Sequence, residues 1–180
     1  QNANVKNTAI GGLAGDAITT GHSNTLIGYA AGSAGTTSDG TPAFNNNTMV
    51  GHQAGMAATE GGQNTFIGAY SGDAVVTGDN NTCVGYGTGT NLLSGPGNTL
   101  MGYNAGAAIT TGTYNVAIGF QAADGLIAGA DFNVAIGKNA LGGCTAATDS
   151  NIAIGAGALE HASYAAANIN LAIGHTAGAT

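Results

Sequence analysis

A tenfold repeat of one apolar residue followed by glycine constrains this chain more than any other feature. The apolar residues, called anchors below, are Ile10, Ile27, Val50, Ile67, Val84, Met101, Ile118, Ile136, Ile154 and Ile173. Successive anchors are 17, 23, 17, 17, 17, 17, 18, 18 and 19 residues apart, so the repeat occupies essentially the whole chain of 180 residues. Such a period is typical of a solenoid, in which each repeat is one structural unit stacked on the next.

The residues of the repeat favour strands over helices. Each glycine inside a helix would cost about 1 kcal/mol. The apolar runs are short and bounded by Gly and Asn, which indicates short strands and turns. The sequence therefore predicts one all-β domain over residues 1–180: a parallel β-solenoid of ten coils of about 17 residues. Each coil would have two short strands and two tight corners and would advance by about 4.8 Å.

An asparagine lies three residues before every anchor. These residues are Asn7, Asn24, Asn47, Asn64, Asn81, Asn98, Asn115, Asn133, Asn151 and Asn170. Stacked coils would bring them into one column, where each side-chain amide can bond the next and form a ladder. The alternative is that each Asn only caps a local turn, since Asn also tolerates the left-handed backbone region.

The strand around each anchor is apolar on both faces. Because side chains alternate along a strand, the anchors lie on one face and the preceding residues, among them Leu26, Met49, Phe66, Cys83 and Leu100, on the other. We assign the anchors to the core and the second set to a face covered by another copy, which predicts a homo-oligomer. The aromatic residues two positions after an anchor would join that face or pack between coils; they are Tyr29, Tyr86, Tyr103 and Phe120.

The second coil carries an insertion, and insertions in solenoids form loops on one face. Its residues Thr41, Pro42, Ala43, Phe44 and Asn45 are a candidate recognition loop, with tolerated decoration as the alternative. The two cysteines, Cys83 and Cys144, are far apart and lack a C-x-x-C pattern, so we expect free buried thiols.

Composition excludes several classes of function. Two Lys and Arg residues against nine Asp and Glu give a formal net charge of −7, which argues against nucleic acid as a partner. No apolar run reaches the roughly 20 residues that span a bilayer, so we expect no membrane insertion. His, Asp and Ser residues show no metal-ligand or catalytic spacing. We therefore expect neither an enzyme nor a cofactor.

Both ends of the chain match the repeat. Joining Thr180 to Gln1 of another copy would leave 17 residues between anchors, the commonest step inside the chain. The sequence thus predicts either head-to-tail stacking into a filament or a segment of a longer array. A start at Gln1 is also what removal of an export leader would leave.

The units Asn115-Val116-Ala117-Ile118-Gly119 and Asn133-Val134-Ala135-Ile136-Gly137 resemble the head repeat of YadA-like trimeric autotransporter adhesins. The longer form beginning Asn98-Thr99-Leu100-Met101-Gly102 is similar to repeats of bacteriophage tail fibres. The resemblance implies a left-handed parallel β-roll, often trimeric, exposed outside the cell and used for attachment.

The leading functional hypothesis is an extracellular structural subunit whose coils build a fibre by lateral association, axial stacking, or both. An adhesin head or tail-fibre segment that binds a cell-surface receptor or glycan is the first alternative. Ice binding by the regular Thr rows is the second, although these rows end after the sixth coil.

Overall fold

The computed structural model describes residues 6–35, 44–143, 148–160 and 169–179. These residues form ten strands of three residues each. The strands are β1 (Thr8–Ile10), β2 (Thr25–Ile27), β3 (Thr48–Val50), β4 (Thr65–Ile67), β5 (Thr82–Val84), β6 (Thr99–Met101), β7 (Val116–Ile118), β8 (Val134–Ile136), β9 (Ile152–Ile154) and β10 (Leu171–Ile173). Each strand gives its number to its coil.

All ten strands form one parallel sheet in the order β1 to β10. Equivalent repeat positions pair at every step; in β3 and β4, for example, Thr48 lies beside Thr65 and Val50 beside Ile67. This vertical register confirms the predicted parallel β-solenoid with a repeat of about 17 residues. The left-handed winding stays a prediction.

The prediction of two strands per coil was wrong for the described residues. Each coil has one strand, and its opposite limb consists of turns joined to the next coil by a few backbone hydrogen bonds that do not form a strand ladder. Val76 donates to the carbonyl oxygen of Leu93 at 2.8 Å, and Leu93 donates to that of Thr110 at 2.7 Å. Left-handed residues three and five positions after each anchor, such as Asn104 and Gly106, turn the chain before it can extend.

The asparagine ladder is confirmed. Every Asn after the first donates its backbone N–H to the Oδ1 atom of the Asn one coil earlier, at 2.8 to 3.0 Å. Several also close their own coil, as where Asn47 Nδ2 donates to the carbonyl oxygen of Gly61 at 3.0 Å. The ladder residues do not use the left-handed region. The residue before each of them does, as Gln63 does with a φ of 60°.

The assignment of the two strand faces was wrong. Leu26, Met49, Phe66, Cys83 and Leu100, predicted to contact another copy, are completely buried in the core. The anchors, predicted to form the core, instead point outward from the rod; they are exposed or half-buried. The outermost two, Ile10 and Ile173, are 59% and 66% exposed. The physical reason is parity: the buried Asn and the middle strand residue are two positions apart, so they share the inner face.

Two columns of side chains fill the core, and where one column has a large residue the other has a small one. In coils 2 to 6 the middle strand residue is mostly large, and Gly lies five residues after the anchor. A Cβ atom on Gly72 would lie 2.9 Å from the ring of Phe66. In coils 8 and 9 the strand residue is alanine, and Leu141 and Leu159 occupy the glycine position inside the core. Close packing of a narrow rod requires this exchange of volume.

The insertion in coil 2 contributes to the core. Phe44 is completely buried, and it lies where a Cβ atom on Gly35 would meet its ring at 2.7 Å. Asn45 Oδ1 accepts a hydrogen bond from the backbone of His22 at 2.8 Å. Phe44 is therefore part of the core, and its assignment to a recognition loop was wrong, because a large apolar ring is buried where the core has room. Asn45 is half-buried, and its role in recognition stays a prediction. Thr41, Pro42 and Ala43 lie outside the described residues.

Candidate functional site: the outer strand face

The outward side chains of the strands form a continuous surface along the rod. We call this surface the strand face. It comprises the first and last residue of every strand, the residue two positions before the strand and the residue two positions after it. These four positions repeat in every coil and give four parallel columns. The two strand columns share a face because side chains alternate along a strand, and the two outer columns flank them in the turns on either side. The last column contains the aromatic residues found in the sequence.

One column changes character along the rod. The first strand residue is threonine in β1 to β6 and aliphatic in β7 to β10, where it is Val116, Val134, Ile152 and Leu171. The last strand residue, the anchor, is aliphatic or Met throughout. The strand face is therefore mixed in coils 1 to 6 and wholly apolar at its two central columns in coils 7 to 10.

Aromatic rings form a second continuous column beside the strands. Neighbouring rings lie 5.1 to 5.7 Å apart between centroids; in order they are Tyr29, His52, Tyr70, Tyr86, Tyr103 and Phe120. The packing of aromatic rings between coils is thus confirmed. His52 lies in the same repeat position, and in coil 4, where that position is Ala69, the ring of the next residue, Tyr70, joins His52 to Tyr86. The rings of Tyr86, Tyr103 and Phe120 are stacked and nearly parallel, with interplanar angles of 8° and 10°. Their ring faces are occupied by one another, so mainly ring edges are exposed.

The column before the strands contains a shorter aromatic pair. Tyr114 and Phe132 stack with centroids 5.5 Å apart. Both have left-handed backbones, with φ of 55° and 59°, and Ile169 in the same column has a φ of 70°. In the first coils this column holds small or polar residues.

Charge is distributed unevenly around the repeat. None of the nine Asp and Glu residues occupies a strand-face position, and both basic residues, Lys6 and Lys138, do. Some of the Asp residues have structural roles that the sequence did not reveal. Asp79 and Asp131, two residues before a ladder Asn, accept hydrogen bonds at 2.7 Å from the backbone N–H of Gly62 and Thr113 in the previous coil.

A groove in the turns that follow β7, β8 and β9 is lined by several polar side chains, among them Asp124, Asn139 and Glu160. Asn139 Nδ2 donates to Glu160 Oε1 at 2.7 Å. Burial, with a smaller contribution from Glu160, raises the pKa of Asp124. Within residues 6–35, 44–143, 148–160 and 169–179, no three His, Cys, Asp or Glu side chains come together to hold a metal ion.

The free thiol predicted at Cys83 is buried inside the rod. Burial raises the pKa of Cys83 to about 12. The buried hydroxyl of Ser71 donates to the carbonyl oxygen of Cys83 at 2.8 Å, so this part of the core is structural. Cys144 lies outside the described residues.

No family model, no curated protein and no solved structure matches the chain. Across the described part of the chain, no helix has the length and apolar character needed to cross a membrane.

Proposed function

We propose that the protein is a rod-shaped structural subunit of an extracellular fibre, and that its rods associate side by side through the strand face. One observation carries the proposal: an acidic chain keeps all strand-face positions free of Asp and Glu in all ten coils. The extracellular location rests on the resemblance to surface adhesin and tail-fibre repeats.

The charge distribution favours another copy as the partner. Two copies that each carry a net charge of −7 repel one another over most of their surfaces. A face without carboxylates is the surface on which they can approach at the least electrostatic cost. The anchors Ile67 and Met101, exposed in the single rod, would be removed from water by this contact.

The size of the strand face fits a stable interface. Ten rungs advance about 48 Å, and the four columns span about 20 Å, so the face covers roughly 950 Å² per copy. Stable protein interfaces bury about 800 Å² per partner. A rigid rod also loses little conformational entropy on association, because its side chains are already held by their neighbours in adjacent coils.

A charge placed on the strand face tests the proposal. Thr82→Asp adds a carboxylate near the centre of the face, and Thr77→Asp adds the same charge at an exposed position on the other limb. We expect sedimentation velocity and electron micrographs to show association of the wild type and of Thr77→Asp, and its loss in Thr82→Asp. Circular dichroism checks that both variants fold. A wild type that stays monomeric at high concentration contradicts the proposal.

Attachment to a receptor or glycan is the second candidate, favoured by the exposed ring edges of Tyr86 and Tyr103. Tyrosine is common at binding surfaces because it combines an apolar ring with a hydroxyl group. Binding to glycans or cells that is lost in Tyr86→Ala while association persists would establish this function. The Thr column ends after β6, so ice binding is not proposed.

A further inference from the structure

Three bulky residues occupy backbone positions that disfavour them. Tyr114, Phe132 and Ile169 each lie two residues before a strand and have left-handed φ values of 55°, 59° and 70°. A non-glycine residue is disfavoured in this region, and a β-branched residue such as Ile169 is a clear outlier. The equivalent residues Ser23 and Asn46 have similar φ values, but their short polar side chains tolerate the left-handed region better.

The core of the rod does not require these large side chains, although Tyr114 and Phe132 stack on each other at its surface. Tyr114 and Phe132 are each 57% exposed, and Ile169 is 82% exposed, so none of them fills the core. Strained residues with exposed apolar side chains indicate a function outside the fold of the single chain.

The same coils are those in which the strands lose their threonines. Ile152 is 39% exposed beside these residues, whereas Leu171 and Ile173 lie in the last described rung, which has a neighbouring rung on one side only. We call the strand face of coils 7 to 10 the apolar patch. Resting on the function proposed above, we propose that the apolar patch is the main contact with a second copy, and that the two rods lie parallel, each coil facing the same coil of its partner.

The chemistry of the face selects this direction. In an antiparallel pair the apolar patch would cover the threonine half of the other copy, and buried hydroxyl groups would face methyl groups without partners. In a parallel pair, the threonine halves of the two copies face each other, and so do the two apolar patches. Because both copies have the same rise per coil, the match continues along the whole rod.

A twofold axis parallel to the rods also brings the two outer columns opposite each other. The column before the strands then faces the column after the strands in the same coil of the second copy. Gly97 would face Tyr103, and Tyr114 would face Phe120. Phe132 would face Lys138, the only charged residue on the apolar patch, which suits a cation–π contact.

Cysteine pairs test the direction. Ser150 and Ala156 are small, exposed and on opposite outer columns of coil 9, one on each side of β9. Parallel rods bring Ser150 of one copy to Ala156 of the other, so Ser150→Cys with Ala156→Cys should give disulfide-linked dimers under oxidation. Antiparallel rods would bring coil 9 to coil 2, so Ser23→Cys with Ser150→Cys should link instead. Links in the second variant alone would overturn the proposal.

Removal of the strained side chains tests the patch. The triple variant Tyr114→Gly, Phe132→Gly and Ile169→Gly relieves the backbone strain and deletes the contact. We expect a higher Tm at concentrations where the rod is monomeric. We also expect a dissociation constant for self-association raised at least about tenfold, as for the loss of a buried aromatic anchor.

The matched control carries the same change in the threonine half: Ser23→Gly, Asn46→Gly and Gln63→Gly, at the same left-handed position. Its self-association should equal that of the wild type. If the wild type associates and both triple variants associate equally, the patch is not the contact, although lateral association stands. If the wild type itself does not associate, the proposed function fails.

Discussion

Replacement of a single ladder residue, Asn115→Ala, should cost a large part of the stability of the rod. Asn115 Nδ2 donates to the carbonyl oxygen of Ala130 at 2.7 Å and to Asn98 Oδ1 at 3.1 Å. Its Oδ1 accepts from the backbone N–H of Asn133 at 2.9 Å and from Asn133 Nδ2 at 3.0 Å. The substitution removes all four bonds from a buried position.

The magnitude follows from the groups that lose every partner. Asn98 Oδ1 still accepts from the backbone of residue 115, and Asn133 Nδ2 still donates to Thr148. The carbonyl group of Ala130 and the N–H group of Asn133 lose the hydrogen bonds that Asn115 supplied. Each such buried group costs about 1 to 3 kcal/mol, so the free energy of unfolding should fall by about 2 to 6 kcal/mol.

Urea denaturation followed by circular dichroism measures this loss, and hydrogen exchange should accelerate at the amide of Asn133. Asn91→Ala is the matched control, because Asn91 Nδ2 also donates to a carbonyl oxygen of the next coil, that of Ala107, at 2.7 Å, but in an exposed position. Water can replace that bond, so its loss should cost less than about 1 kcal/mol. Equal costs for the two variants would refute the idea that the ladder stabilises the rod through burial.

Three further predictions concern glycine, packing and charge. Gly119→Ala should lower Tm severely, since its Cβ would lie 2.5 Å from a carbonyl oxygen of the next coil. Gly174→Ala has a similar φ, but the nearest atom to its Cβ would be 3.9 Å away, so its Tm should fall only by the cost of the backbone strain. Phe66→Ala should cost about 3 to 5 kcal/mol, and adding Gly72→Leu should restore part of it; a double-mutant cycle without coupling would contradict volume compensation. Asp73→Asn should raise Tm at pH 7, because burial raises the pKa of Asp73 and its ionised form therefore destabilises the folded state. Below the ordinary pKa of 3.8 the carboxyl group is protonated in both the folded and the unfolded chain, so the gain in Tm should vanish. An equal gain at pH 3 would contradict this reason.

The fold could be predicted because its repeat fixes backbone register. Ten Asn residues at one repeat position imply that their coils stack, and the structure places Asn64 and Asn81 in direct hydrogen-bond contact. The hydrophobic pattern could not predict which face of the strand points inward, since both faces are apolar. The decisive signal was polar: a buried Asn side chain needs partners inside the coil, and residues two positions later share its face.

Other features lay beyond the repeat itself. Phe44 belongs to an insertion, where the periodic pattern gives no guidance, although Gly35 replaces the larger residue that neighbouring coils carry at the same position and so indicates free volume. The left-handed backbone before each Asn is equally hidden in the later coils. Tyr114 and Phe132 have a positive φ, which their residue types do not predict.

Each strand touches only the strands of adjacent coils. Stability in such a rod is therefore a sum over nearest neighbours, and no residue depends on a distant part of the chain. Excision of one whole period, such as residues 82–98, would rejoin equivalent positions and shorten the rod by one rung of about 4.8 Å. Genetic gain or loss of single periods can thus adjust the length of the molecule in fixed increments while its cross-section stays the same.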